Sequence, residues 1–142
     1  EKGVPIHGVG EQAHYDTYSP SINEVRRTIE ELSTLNIPVL ITELDLSVYR
    51  WTERRNLYAD ELDPEVEADQ TRRFSQLFNL FREYSDRIGR VTFWGTTDRY
   101  SWKNNFPVQG RTDYPLLFDR SGKKKPAFWA VHNFDDETAE SH

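Results

Sequence analysis

The segment most restrictive for the fold is residues 38–42, with the sequence PVLIT, which is apolar, largely β-branched and followed at once by Glu43-Leu44-Asp45. A run that is apolar on both faces is typical of a strand in a parallel sheet covered on both sides. Parallel strands are joined by crossover connections, usually helices. We therefore expect a fold built from strand–helix units.

Two further strand signals flank this run. Residues 6–10 are short, partly apolar and end in glycine, which is typical of a buried strand leading into a loop. Residues 91–94 (VTFW) form the third strand signal and end at Gly95. The carboxyl ends of three strands should therefore meet at one edge of the sheet.

The first helix signal lies between the first two strands. Apolar residues at positions 22, 25, 29 and 32 keep the spacing of one helical face, which predicts an amphipathic helix over residues 21–35. Ser21 and Glu24 match a capping box at its start. Asn36 is the predicted C-cap.

The second helix is predicted to begin at Pro64, with Asp63 as N-cap, and to run to about residue 87, where Gly89 stops it. Residues 47–62 indicate a long charged loop before it. The last helix is expected near residues 126–133. The run of lysines at positions 123–125 indicates a solvated turn before that helix.

Three such units in series predict an α/β fold with a parallel sheet. The chain has 142 residues, whereas a complete (β/α)8 barrel needs roughly 250, or about 200 at the least. Three strands cannot close a barrel. Residues 1–3 resemble the last turn of a helix, and the chain contains no Met. We therefore expect a piece of a larger architecture.

Composition narrows the classes of partner. The chain has 18 Lys plus Arg against 24 Asp plus Glu, a net charge of −6 that argues against a nucleic-acid partner. It has no Cys, which excludes disulfides, thiolate metal sites and a Cys nucleophile. No run approaches the ~18 apolar residues of a membrane span, so no membrane partner is predicted.

Polar and aromatic residues follow each strand, at the edge where parallel α/β folds form their sites. The period of two along a strand predicts that Glu43 and Asp45 share a face with Val39 and Ile41. His14 and Gln12, after the first strand, are their natural partners. The alternatives are a helix cap or ion pair for the acids, a structural role for His14, and core positions for Trp94 and Trp102.

No cofactor or metal is predicted. A metal site formed by His7, Glu11 and His14 fits no zinc spacing. Aromatic faces such as those of Trp94 and Trp102 pack instead against apolar surfaces, including the C–H faces of sugars.

Four segments together resemble glycoside hydrolase family 10 endo-β-1,4-xylanases. They occur in the order of that family and cover residues 1–134. The nucleophile-strand motif is ITELD at 41–45, the sixth-strand segment is GVGEQAH at 8–14, the eighth strand and its loop span 91–102, and the closing segment covers 115–119 and 125–127. The resemblance implies the last three or so of the eight units of a (β/α)8 barrel, incomplete alone.

The resemblance implies roles for particular residues. Glu43 falls on the catalytic nucleophile of a retaining mechanism, and His14 and Asp45 on the pair that orients it. Gln12 falls on a residue near the reacting sugar. Trp94 and Trp102 fall on aromatic walls for xylose rings. The implied ligand is xylan or a xylo-oligosaccharide, and the family implies an extracellular enzyme.

The sequence departs from the family in one respect. The family places its acid/base Glu in an Asn-Glu dipeptide after the fourth strand, and the Asn-Glu of this chain, Asn23-Glu24, belongs to the predicted capping box. We therefore expect the fragment to be inactive alone and to associate with the missing N-terminal half of the barrel or with itself. A non-catalytic xylan-binding remnant and a related barrel β-glucanase remain alternatives. Residues 135–142 are expected to form an acidic flexible tail.

Overall fold

A computed structural model describes residues 3–133 of the chain. The predicted helix end at residues 1–3 lies largely outside this range, and the predicted tail at 135–142 lies outside it entirely. The elements are β1 (Val9–Glu11), β2 (His14–Asp16), α1 (Ile22–Ser33), β3 (Val39–Ser47), α2 (Pro64–Glu83), β4 (Ile88–Phe93), two 3-10 turns (Asp98–Tyr100 and Trp102–Asn104) and α3 (Pro126–His132).

The four strands form one open parallel sheet centred on β3. β1 and β2 pair in succession with the first and last parts of β3, and β4 pairs with its other side. In the part of the chain that the structure describes, the outer edges of β1, β2 and β4 pair with no further strand. The α/β class and the unclosed parallel sheet are thereby confirmed.

The first strand is interrupted rather than continuous. The strand predicted over residues 6–10 is present with shifted bounds as β1, and a second three-residue strand, β2, follows after Gln12 and Ala13. Ala13 has a φ of 64°, in the left-handed region, and its side chain is buried in the core. This irregular step brings His14 to the level of Asp45, its partner in the register with β3.

The central strand carries a bulge between Ile41 and Leu44, the interval that contains the predicted nucleophile. Between Ile41 and Leu44, β3 advances three residues while β4 advances two, from Val91 to Phe93. One extra residue of β3 also opposes the β1–β2 side. A bulge of this kind breaks the alternation of side chains between the two faces of a strand.

The bulge changes the predicted face assignment. Ile41 and Leu44 both belong to the core cluster beneath the helices, although simple alternation would put them on opposite faces. The prediction that Glu43 shares a face with Val39 and Ile41 is therefore wrong for Ile41, which is fully buried in that core. β3 also extends to Ser47, so Glu43 and Asp45 lie within the strand rather than after it.

The helix starts match the prediction more closely than the helix ends. The capping box of Ser21 and Glu24 is formed, with the Ser21 backbone N–H donating to Glu24 Oε2 at 2.7 Å. However, α1 ends at Ser33, with Thr34 as C-cap in place of the predicted Asn36, which instead has a φ of 54°.

The second helix begins as predicted, with Asp63 as N-cap and Pro64 in its first turn. It ends at Glu83 rather than near residue 87, because Tyr84 already leaves helical geometry. Gly89 does not stop the helix but lies inside β4, where the Leu40 side chain packs against its backbone.

The main core lies between the sheet and the helices. Its central members come from every layer, namely Val25, Ile29, Ile41, Leu44, Leu46, Phe74, Leu77, Leu80 and Ala127. A smaller cluster of Val48, Tyr49 and Tyr114 packs beneath the long loop after β3. Among residues 3–133, no helix has both the length and the apolar character that crossing a bilayer requires.

The lysine run before α3 is only partly solvated. Lys123 and Lys124 are exposed, but Lys125 is buried and its ammonium lies 3.0 Å from the buried carboxylate of Asp98. The same ammonium donates to the carbonyl oxygens of Tyr114 and Leu116. The predicted solvated turn is therefore wrong for Lys125, which attaches the segment before α3 to the first 3-10 turn after β4.

Candidate active site

The candidate residues meet at the carboxyl edge of the sheet because three strands end there. β2 begins with His14, β3 carries Glu43 within the bulged interval and Asp45 just after it, and Trp94 directly follows β4. Trp102 comes from the second 3-10 turn of the loop after β4. The alternation within 43–46 places the two acids opposite Leu44 and Leu46, which occupy the core.

The imidazole of His14 joins the two carboxyl groups of β3. Its Nε2 lies 3.0 Å from Glu43 Oε2, and its Nδ1 lies 3.0 Å from Asp45 Oδ2. Glu43 is about one-quarter exposed, at 23% of its side chain, whereas Asp45 is fully buried. The hydrogen-bonded line of side chains therefore runs from the buried Asp45, through His14, to Glu43, which solvent or a ligand can reach.

This arrangement constrains where protons lie. A neutral imidazole has one N–H, so it can donate to only one of two flanking carboxylates. Both contacts are hydrogen bonds to ionised carboxylates when each ring nitrogen carries a proton. An imidazolium between Glu43 and Asp45 satisfies that condition, and it offsets part of their negative charge.

Asp45 has further partners from the loop after β4. The Trp102 indole N–H donates to Asp45 Oδ2 at 2.7 Å, and the Lys103 ammonium lies 3.7 Å from Asp45 Oδ1. Burial raises the pKa of Asp45 above its ordinary value, while Lys103, then the indole N–H and His14, act to lower that pKa. A buried carboxylate without such partners would be too costly to keep ionised.

Aromatic rings border the line of polar groups. The His14 ring has its centroid 4.9 Å from that of Trp102 and 6.4 Å from that of Trp94. Phe106 stacks on Trp102 with centroids 5.0 Å apart and planes 15° apart. Trp94 is half exposed, at 48%, so the alternative of a core position does not apply to it.

Gln12 contacts Glu43 through its main chain. The Gln12 carbonyl oxygen accepts a hydrogen bond of 3.0 Å from the Glu43 backbone N–H, and the Gln12 side chain is exposed. The structure therefore brings His14, Glu43, Asp45, Trp94 and Trp102 together through their side chains. It places Gln12 beside them with a free side chain.

A cavity of about 190 Å³ adjoins the His14 side of this cluster. Its walls combine apolar and charged residues, including Trp51, Pro107, Asp16, Lys103 and Arg111. Within residues 3–133, no group of three or more His, Asp, Glu or Cys side chains is arranged to hold a metal ion.

Sequence reasoning did not identify Lys103, Phe106 or Trp51 as members of the site. The signal for Lys103 was its position directly after Trp102, since adjacent residues belong to the same loop. Phe106 and Trp51 lie on loops from different strands, with ring centroids 5.7 Å apart. Only the fold brings those two loops together.

Comparisons with known proteins identify the family of the chain. Residues 1–134 match the profile of the family described as Glycosyl hydrolase family 10. The chain is 46% identical over 133 residues to an endo-1,4-beta-xylanase of Geobacillus stearothermophilus, covering 94% of this chain and 40% of that protein. It is 45% identical over 131 residues to a thermostable celloxylanase of Thermoclostridium stercorarium, covering 92% of this chain and 33% of that protein.

Solved structures give the same result. The Thermobacillus composti GH10 xylanase superposes with a TM-score of 0.89 at 48% identity, over 93% of this chain and 43% of that one. Xylanase B from Clostridium stercorarium F9 superposes with a TM-score of 0.87 at 45% identity, over 92% of this chain and 38% of that one. The chain thus spans 33 to 43% of the length of these relatives.

Proposed function

Because the chain belongs to glycosyl hydrolase family 10, we propose that it supplies the nucleophile side of a retaining endo-1,4-β-xylanase active site, with Glu43 as the nucleophile. The observation that carries the proposal is the hydrogen-bonded line Glu43–His14–Asp45 at the carboxyl edge of the sheet. It presents one partly exposed carboxylate held in place by a buried pair.

In the first chemical step, a Glu43 carboxylate oxygen attacks the anomeric carbon of a bound xylose unit. The bond from that carbon to the bridging oxygen breaks, and the departing sugar oxygen takes a proton from a second carboxyl group. His14 holds Glu43 in place, and Asp45 in turn holds the imidazole. An ionised, oriented carboxylate is what this step requires of the chain.

In the second step, water attacks the same carbon of the glycosyl-enzyme, and the bond to Glu43 breaks. The second carboxyl group, now ionised, takes the proton from that water. Each of the two displacements inverts the anomeric carbon, so its stereochemistry is retained overall. Retention requires the two carboxyl groups to lie about 5–5.5 Å apart. Glu24, the Glu of the chain's Asn-Glu pair, is engaged in the capping box of α1 and is therefore unsuited to that role.

We propose that the acid/base belongs to the remainder of a complete barrel, which is also the principal partner of this chain. On this basis the fragment alone hydrolyses xylan poorly or not at all. Trp94 and Trp102 would pack against xylose rings on the side of the site that this chain builds, since aromatic faces bind apolar C–H surfaces.

An inactivator with an activated leaving group tests the nucleophile directly. A 2-deoxy-2-fluoro-xylobioside of dinitrophenol needs no acid to release its leaving group, so it tests Glu43 in this chain without the acid/base. We expect covalent attachment of one fluoroxylobiosyl group, located by mass spectrometry on the peptide containing Glu43.

Two variants serve as controls for the labelling. Glu43→Gln should abolish the mass increase, whereas Glu11→Gln, which changes another carboxyl group near the same sheet edge, should leave it unchanged. Attachment at another carboxyl group, or equal labelling of Glu43→Gln, would rule out Glu43 as the nucleophile.

Mixing the chain with the N-terminal part of a family 10 barrel tests the larger proposal. Recovery of xylanase activity that is lost in Glu43→Ala supports it. Binding of xylan with no activity in any mixture would favour the alternative of a non-catalytic binding remnant. Faster hydrolysis of a β-glucan than of xylan by the same mixture would favour the β-glucanase alternative.

A further inference from the structure

Lys103 is a buried charged residue that the proposed mechanism does not use. Its side chain is only 2% exposed, and it lies on the 3-10 turn Trp102–Asn104, immediately after the residue that donates to Asp45. Its ammonium lies 3.7 Å from Asp45 Oδ1 and about 5 to 6 Å from the ring centres of Trp102 and Trp51. Burial of an ammonium is costly unless an anion compensates it.

The other side of this pair is equally constrained. Asp45 is fully buried, and its Oδ2 accepts from both the Trp102 indole and His14. Its Oδ1 has no hydrogen-bond partner among residues 3–133, so Lys103 is the cation that faces this oxygen. The two groups therefore depend on each other electrostatically.

The charges around Asp45 form a short series across three elements. Glu43 and Asp45 lie on β3, His14 on β2 and Lys103 on the loop after β4, and Asp16 and Arg111 line the cavity beside Lys103. When both ring nitrogens of His14 carry a proton, the two carboxylates, the imidazolium and the ammonium sum to zero. Without the ammonium, the remaining groups would carry one unbalanced negative charge, which is unfavourable in a buried site.

We propose that Lys103 is a positioning residue: its ammonium keeps Asp45 ionised, so that Asp45 accepts from His14 Nδ1 and the imidazole presents Nε2–H to Glu43. This role rests on the proposed function of Glu43, because Lys103 acts on the nucleophile through two intervening groups. A purely structural lysine would fill the same volume without setting the charge of Asp45.

The test measures the proton on Asp45 in the 142-residue chain, so it requires neither hydrolysis nor the rest of a barrel. The chain carries 13C at aspartate carboxyl carbons and 15N in histidine rings, and NMR follows both from pH 4 to pH 8. In Lys103→Met, which keeps length and removes charge, we expect the Asp45 titration midpoint to rise by about 1 to 3 pH units, as for loss of an opposite charge at this distance.

Three further readings separate charge from packing. Lys103→Arg should keep the Asp45 midpoint near that of the unchanged chain, because it restores a cation. Lys124→Met, which removes an exposed lysine, should also leave it unchanged. The 15N shift of His14 Nδ1 should move in Lys103→Met over the pH range in which Asp45 binds its proton.

An Asp45 midpoint that is unchanged in Lys103→Met, or that rises equally in Lys103→Arg, would overturn the proposal. If Lys103→Met does not fold, Lys103→Gln, which also removes the charge but keeps a polar end group, decides the question through the same Asp45 signal. The Asp45 midpoint should rise in that variant as well. An unchanged Asp45 midpoint would contradict the pairing, whatever the outcome of labelling at Glu43.

Discussion

At the scale of single residues, Asp45 is the residue that connects the strands of the candidate site to the loop after β4. It lies in the interior, yet it is contacted by His14 from β2 and by Trp102 and Lys103 from the loop after β4. A hydrogen bond to a charged group contributes more than one between neutral groups. The loop after β4 is therefore attached to the central strand through one carboxylate.

Replacing Trp102 by Phe should reveal the strength of this attachment. The variant removes the indole N–H that lies 2.7 Å from Asp45 Oδ2 but retains an aromatic ring to stack on Phe106. We expect the free energy of unfolding in urea to fall by about 1.5 to 3 kcal/mol, the range for a hydrogen bond to a charged group.

Trp94→Phe is the matched control, because Trp94 is half exposed at the same edge. It should change the free energy of unfolding by less than about 0.5 kcal/mol, as surface substitutions usually do. Equal losses in the two variants would mean that ring size, rather than the bond to Asp45, sets the stability of this loop.

The buried pair of Asp98 and Lys125 makes a separate prediction about pH. Burial raises the pKa of Asp98 to about 6, against the attraction of Lys125. The folded chain therefore binds a proton at Asp98 between about pH 4 and pH 6, where the unfolded chain does not. This contribution stabilises the fold at low pH and is lost as the pH rises to about 6.

The unfolding free energy of the natural chain minus that of Asp98→Asn should thus fall between pH 4 and pH 6, by roughly 2 to 3 kcal/mol. Urea unfolding across this range measures the difference. Asp119→Asn provides a control that should be nearly flat across this range, since hydrogen bonds from Ser121 hold the pKa of Asp119 below its ordinary value and its titration therefore lies below about pH 4. A flat difference for Asp98 would show that this group titrates normally in the folded chain.

At the scale of elements, the sequence predicts what is encoded locally. The start of α1 depends on Ser21 and Glu24, three residues apart, and is predicted correctly. The bulge in β3 depends on pairing with β4, about 50 residues later, so no local pattern reveals that Ile41 leaves the face of Glu43. Lys125 likewise becomes a buried residue only because Asp98 lies beside it in the fold.

The candidate site follows the same division. Glu43, Asp45, His14 and the two tryptophans are identifiable because each follows or ends a strand signal. Lys103 is missed because lysine is ordinarily exposed, and its burial depends on a carboxylate from another strand. Residue type and strand position therefore predict the polar and aromatic groups at the carboxyl edge of the sheet. Tertiary packing determines which charged groups, such as Lys103, are buried beside them.

A buried side-chain amide on helix α2, that of Gln70, connects two elements that form the site. The Gln70 side-chain nitrogen donates to the carbonyl oxygens of Leu46, on β3, and Tyr114, in the loop after β4, at 2.8 and 2.6 Å. Both elements carry or precede residues of the site. Gln70 thus fixes the position of the loop after β4 relative to β3.

Gln70→Met should leave both carbonyl groups without this donor while preserving side-chain length. The Tyr114 carbonyl still accepts from Lys125. We therefore expect the free energy of unfolding to fall by about 1 to 3 kcal/mol, the cost of losing this donor chiefly at the Leu46 carbonyl. Gln76→Met, at an exposed position of the same helix, should have an effect below about 0.5 kcal/mol. A small loss at Gln70 would indicate that water replaces the amide.

At the scale of the whole molecule, the open sheet determines how the chain behaves in solution. Three strands with unpaired outer edges within residues 3–133 offer hydrogen-bonding groups to any further strand. Val4 and Ile6, which precede β1, are 70% and 67% exposed. A closed barrel would provide strands for both edges, whereas the isolated chain can only pair with another copy.

We therefore expect the 142-residue chain to self-associate, with a sedimentation coefficient that rises with concentration. Ile6→Lys should weaken the association, because a charge beside an open edge disfavours pairing. Leu35→Lys, at a position 55% exposed after α1, should not. Since a barrel half that completes the sheet competes for the same edges, adding the N-terminal part of a family 10 barrel should replace self-association by a one-to-one complex. A monomer at every concentration would contradict the role of these edges, and the recovery of activity in the mixture would then have to arise without strand pairing.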